Sequence, residues 1–161
     1  MAEFDFKKLK TSELVMLGGA LAVFIGTFLT WYKAEAKGLG FSASDTVNGF
    51  HYFLQGTIPW ILAIAIAAAI IIRTFFPDVK LPDPLGPVSW AQGYLIAAGL
   101  AAVLILSRLI FGESGNDFVD VTRGIGMYLS SLGGIALAVG AYLKFQANEE
   151  AGTASGPPTA F

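Results

Sequence analysis

At 161 residues the chain has the length of one domain, but 55% hydrophobic residues, 14% charged residues and a mean hydropathy of +0.64 are the profile of a membrane protein, not of a soluble domain. Ten Lys and Arg against twelve Asp and Glu give a net charge of -2 without a basic stripe, so the electrostatic footprint of a nucleic-acid binder is missing. The absence of cysteine excludes disulfides, iron–sulfur sites and thiolate zinc sites.

The first segment, "MAEFDFKKLK", is expected to lie on the inner membrane surface through Phe4, Phe6 and its lysines. Four apolar stretches follow, over 14–32, 57–76, 90–111 and 124–143. Each approaches the roughly 20 helical residues that about 30 Å of hydrocarbon requires, and none has an ionisable residue in its middle. The first is preceded by Lys7, Lys8 and Lys10 and followed by Ala34-Glu35-Ala36, which together have the form of a cleaved signal peptide. Its apolar run is too long for that, and it closes on Trp31-Tyr32, a pair suited to a membrane interface, so a retained span is expected.

The loop 33–56 is the longest. In "WYKAEAKGLGFSAS" two extended runs flank Lys37-Gly38, where glycine is expected to supply the positive backbone angle of a hairpin turn. "SDTVNGFHYFLQG" then predicts a short amphipathic helix with Ser44 or Asp45 as N-cap, Val47, Phe50 and Leu54 on one face, and Gly56 as its stop. His51 is the one histidine; without a second ligand at metal-site spacing it reads as an interfacial side chain.

The second span carries Pro59 in its first turn, where proline is tolerated, and continues as the smooth run "ILAIAIAAAIII", suited to packing or to lipid. The connector "PDVKLPDPLGP" holds four of the seven prolines and is expected to be extended. Arg73 and Arg108, near the ends of the second and third spans, read as snorkelling anchors. Beyond the third span, "NDFVDVTR" alternates apolar and polar residues and is expected to add a strand to the hairpin. Glu113, Asp117 and Asp120 lack EF-hand spacing and read as solvated loop acids. The chain closes in "ANEEAGTASGPPTAF", a small, polar tail expected to be disordered over 147–161.

Four spans put both termini and the proline-rich connector on one side. That side holds Lys7, Lys8, Lys10, Arg73, Lys80 and Lys144, against Lys33, Lys37, Arg108 and Arg123 on the other, which places the termini in the cytoplasm. Aromatic residues mark both boundaries: Trp31, Tyr32, Trp60, Phe111 and Tyr128 outside, Phe75, Phe76, Trp90, Tyr142 and Phe145 inside.

Glycine is a poor helix former in water, yet "RGIGMYLSSLGGIALAVGAYLK" is rich in it. In lipid, helices gain little from hydrophobic contact with one another, and close backbone approach holds them together. Gly126, Ser130, Gly134 and Ala138 recur every four residues, with Gly133 and Gly140 as a second narrow stripe. Gly18, Ala22, Gly26 and Thr30 repeat the device in the first span, and Gly93, Ala97 and Ala101 in the third. Spans one and four are therefore expected to make the tightest contact, inside one chain, with association between copies left open.

The spans lack the ionisable residues and broken helices that ion-coupled transporters use at depth. Their hydroxyls, Thr27, Thr30, Ser107, Ser130 and Ser131, are expected to bond to carbonyls one turn back. GxSxG, a phosphate-binding glycine loop and a Ser/His/Asp set are all missing, so no catalytic, cofactor-binding or metal-binding residue is assigned.

The succession "FLTWY", "GFSAS" and "RGIGMYLSSLGGIALAVGAYL" resembles small, mostly uncharacterised four-helix membrane proteins of actinobacteria and related high-GC bacteria, over about residues 11–145. The layout of a long first outer loop, short inner loop and second outer loop is also similar to the claudin type of tetraspan. The cysteine pair and the tryptophan-glycine-leucine-tryptophan signature of that type are missing, so barrier function is not implied. The expected fold is an all-α membrane protein: a four-transmembrane-helix bundle over 1–146 with a small extracytoplasmic cap, a short β-hairpin plus a short amphipathic helix. The expected role is that of a non-enzymatic structural, scaffold or interaction protein in the cytoplasmic membrane of the bacterial cell envelope. The alternative is a subunit of an oligomeric transporter or channel. The expected partners are the lipid bilayer and either another membrane protein or further copies of the chain, not nucleic acid.

Overall fold

The structure is a computed structural model that describes residues 5–38, 40–82 and 88–154. Its elements run α1 (Thr11–Phe28), β1 (Thr30–Gly38), β2 (Phe41–Asn48), α2 (Ile58–Phe75), α3 (Trp90–Ile110), β3 (Val119–Arg123) and α4 (Ile125–Ala154). Among the described residues four helices are long and apolar enough to cross a membrane: Thr11–Phe28, Phe53–Phe75, Trp90–Ile110 and Ile125–Asn148. They form a ring in which α1 touches α2 and α4, and α3 touches α2 and α4. The α1–α4 interface is the most extensive.

That interface closes backbone to backbone. A β-carbon built on Gly19 would stand 2.7 Å from the Gly133 carbonyl oxygen and 2.6 Å from the Leu137 amide nitrogen; one on Gly133 would meet the Gly19 carbonyl oxygen at 2.7 Å. About two helical turns away the relation repeats, a β-carbon on Gly26 standing 3.0 Å from the Gly126 carbonyl oxygen and one on Gly126 2.6 Å from that of Gly26. At the other end Gly140 meets the Ser12 carbonyl at 2.8 Å and Met16 Cγ at 2.7 Å. Moving seven residues back along α1 thus moves seven forward along α4, an antiparallel seam with a heptad period.

The four-residue stripes expected from sequence are corrected in register. A four-residue step drifts about 40° around a helix of 3.6 residues per turn, so it leaves the seam within a few steps, whereas alternating steps of three and four stay on it. Gly18 is exposed with nothing within 4 Å, and Gly19 takes its place. On α4 the seam runs through Gly126, Ser130, Gly133, Leu137 and Gly140, while Gly134 turns to α3, where a β-carbon built on it would stand 3.4 Å from Ala102 Cα. A β-carbon built on Gly93 or Gly99 of α3 would meet nothing within 4 Å; the buried face of α3 is Ala91, Tyr94, Ala98, Ala101, Ala102 and Ile105.

Glycine and alanine share the interior with Met16, Ile70, Ile105, Met127 and Leu137, and many large apolar side chains face outward. Leu21, Ile96, Val103 and Leu132 are more than half exposed, and exposed aliphatic side chains occur on every helix. The expected hydroxyl bonds form at Thr27 to the Val23 carbonyl, Ser107 to that of Leu104 and Ser131 to that of Met127, each at 2.7 Å. Ser130 Oγ is buried against Gly26 without a partner, and Thr30 belongs to β1 rather than to a helix.

A three-stranded antiparallel sheet of order β2-β1-β3 covers the end where α1 finishes and α4 starts. The third strand is the one expected from "NDFVDVTR"; Tyr32 pairs with Arg123 and Ala36 with Val119. The hairpin turn is displaced: Gly38 still pairs with Phe41, and the positive φ of 79° belongs to Gly40. The amphipathic helix is replaced. Ser44 and Asp45 lie within β2, only a single 3-10 turn follows at Gly49–His51, and a π turn at Phe53–Thr57 runs straight into α2. Gly56 therefore does not stop a helix; it lets the π turn approach the Gly49 carbonyl.

The spans shift in consequence. The first ends at Phe28, since Leu29 is already extended (φ -78°, ψ 164°), and Trp31-Tyr32 lie in β1. Pro59 sits in the first turn of α2 as expected. Helix α4 continues to Ala154, through positions read as polar tail from 147, and 155–161 lie outside the described residues. So do Phe4 and part of the proline-rich connector, 83–87.

Candidate functional site

The side chains with chemistry gather at the two ends of the bundle. At the sheet end, Trp31 and Tyr32 are 0% and 2% exposed, buried joints where interfacial anchors were expected. The last carbonyls of any helix lack intrahelical donors, and this pair supplies two. Trp31 Nε1 donates to the Gly26 carbonyl of α1 at 2.9 Å, and the Tyr32 hydroxyl to the Arg108 carbonyl of α3 at 2.7 Å. A bulge between Thr30 and Tyr32 shifts the strand register at this point, the kind of irregularity that re-aims side chains.

Arg108 is not a free anchor. Its guanidinium lies 3.8 Å from the Tyr52 ring centroid and 5.3 Å from that of Tyr32, and donates to Glu113 at 2.7 Å. Tyr52 also donates to Glu113, at 3.1 Å. Burial raises the pKa of both Tyr32 and Tyr52 against the lowering effect of Arg108. The loop acids are thus separated: Glu113 holds Arg108, Asp120 holds Lys37 across the β1–β3 pair, and Asp117 is exposed. The Asp120 contact raises the Lys37 pKa, and a Lys33 hydrogen bond lowers that of Glu35. His51 is exposed, edge-on to the Tyr52 ring at 5.1 Å. Among the described residues no group of three or more His, Asp or Glu is placed to hold a metal.

The far end holds a polar cavity of about 650 Å³ between all four helices. Glu13 of α1 accepts from the Lys144 ammonium of α4 at 2.6 Å and from the Lys10 backbone N–H at 3.1 Å, so it ties the helix start to the opposite end of the seam. Both side chains of that pair are less than one-fifth exposed. Arg73 is exposed, as an anchor should be, and lies 5.3 Å from the Trp90 ring centroid. Tyr94 is buried, and its hydroxyl lacks a partner in hydrogen-bonding geometry, with the Arg73 guanidinium beside it. Ser89 caps α3, accepting from the Gln92 amide at 3.2 Å, while Gln92 accepts from the Ser89 amide at 3.0 Å. Sequence reading missed this cluster because its members come from four helices with no common spacing. The one legible signal was the position of Glu13 and Lys144 just inside opposite ends of antiparallel spans.

What this arrangement offers chemically is a cation-lined polar cavity at the far end and a buried aromatic joint at the sheet end. No protein-family model matches the chain, and no curated protein matches it.

Proposed function

We propose that the chain is a multi-pass protein of the bacterial cytoplasmic membrane, with both termini in the cytoplasm, that works without catalysis as a structural, scaffold or interaction protein of the envelope. The observation that carries this reading is the α1–α4 seam. Its glycine contacts fill the longest interface of the bundle with backbone, and the ionisable side chains sit at the two ends rather than along a path between them. The exposed aliphatic faces support residence in hydrocarbon, because water does not tolerate apolar surface of that extent on a monomer. The excess of Lys and Arg at the far end supports the orientation, and the resemblance to small actinobacterial tetraspans supports the bacterial setting.

Two measurements test it. Purified protein in liposomes is expected to leave ion and solute permeability at the protein-free level, while crosslinking in native membranes recovers a defined envelope partner. Flux above background overturns the scaffold role in favour of the transporter or channel subunit. Reporter fusions after Lys80 and after Asp117 are expected to report cytoplasm and exterior respectively; the reverse result inverts the topology.

A further inference from the structure

We infer that the far-end cavity binds the phosphate of an anionic phospholipid headgroup, an inference that rests on the membrane reading above. Three cations, Lys10, Arg73 and Lys144, line the cavity against one carboxylate, Glu13, which Lys144 already engages. Lys10 and Arg73 have no ion pair among the described residues. Tyr94 supports one of these cations: it lines the same cavity, is 3% exposed, and its buried hydroxyl lies beside the Arg73 guanidinium, which it holds at the cavity wall. The start of α3, with Ser89 and Trp90 in the wall, adds a helix N-terminus to the same space.

A lipid source is favoured over a free anion by position. The cavity lies at the ends of the spans, where headgroup phosphates reside and where basic pockets between helices select anionic lipids. Exposed Leu14 and Leu143, next in sequence to Glu13 and Lys144, give acyl chains an apolar surface alongside it.

The test uses the full chain, inserted into phosphatidylcholine vesicles with and without phosphatidylglycerol, then extracted in detergent for native mass spectrometry of retained lipid. Phosphatidylglycerol is expected to be retained in preference to phosphatidylcholine. Arg73→Gln and Lys10→Gln are each expected to weaken retention about fivefold, and Tyr94→Phe to weaken it while keeping the ring. Lys80→Gln, in the exposed connector at the same end, is expected to leave it unchanged. Equal retention of both lipids, indifference to the Arg73 and Lys10 variants, or displacement by inorganic phosphate as effective as by phosphatidylglycerol overturns the inference. Insertion into both vesicles without lipid preference refutes the headgroup site alone; failure to insert into either refutes the membrane reading itself.

Discussion

Gly133 shows why the glycines of α4 are not interchangeable. Its missing side chain would enter the α1 backbone at 2.7 Å from both the Gly19 carbonyl oxygen and the Val23 amide nitrogen, groups that cannot swing aside as a long side chain can. Gly133→Ala and Gly19→Ala are each expected to cost about 1–3 kcal/mol through overpacking. Gly99→Ala, with nothing within 4 Å, is expected to be neutral or stabilising by up to about 1 kcal/mol because alanine favours helix. Thermal unfolding in detergent separates the two classes, and equal losses at Gly99 and Gly133 contradict the seam. The tyrosines of the joint make a second test at this scale. Burial raises the folded-state pKa of Tyr32 and Tyr52 above the ordinary value, so the unfolded chain releases these phenolic protons first as pH rises. The stability they contribute is complete below about pH 10 and is lost progressively above it. The midpoint of unfolding is expected to fall more steeply from about pH 10 to 11 in the wild type than in Tyr32→Phe; identical slopes contradict a buried phenol.

At the scale of elements, what was legible in the sequence followed periodicity and what was not followed tertiary contact. Hydropathy located four helices and alternation located β3, because both signals are local. Trp31-Tyr32 extended the first apolar run, and hydropathy cannot tell a residue entering lipid from one entering the joint between α1, α3 and β1. The strand displaced the expected amphipathic helix because β1 offers β2 a ladder from Thr30 to Gly38, whereas a short isolated helix has few hydrogen bonds to set against its nucleation cost. The far-end cavity was invisible for the same reason as the joint: Glu13 and Lys144 are 131 positions apart in sequence. The hairpin also yields a prediction that depends on the corrected turn. Gly40→Ala, forced to hold φ near 79°, is expected to destabilise the sheet by about 1 kcal/mol, while Gly38→Ala has no such penalty. Amide exchange at Lys33 to Lys37 is expected to accelerate in the first variant only; acceleration in the second instead places the strained position at Gly38.

The whole molecule reads as one antiparallel pair, α1 with α4, on which α3 packs through alanine and around which α2 closes the ring more loosely. The sheet fastens the pair at one end through Trp31, and Glu13 with Lys144 fastens it at the other. Such a core resists opening along its axis, and its outward faces carry large exposed aliphatic side chains. Because the chain has no cysteine, the register of α4 can be trapped covalently in an otherwise silent background. A β-carbon at Gly134 would lie 3.8 Å from Ala102 Cβ, the separation found in disulfides. Mild oxidation of the double variant Ala102→Cys, Gly134→Cys in the bilayer is expected to give a monomeric species with its two thiols joined within one chain. Crosslinked dimers, or two thiols that remain free, would contradict the register that turns Gly134 to α3 and Gly133 to α1, and the passive bundle built on it.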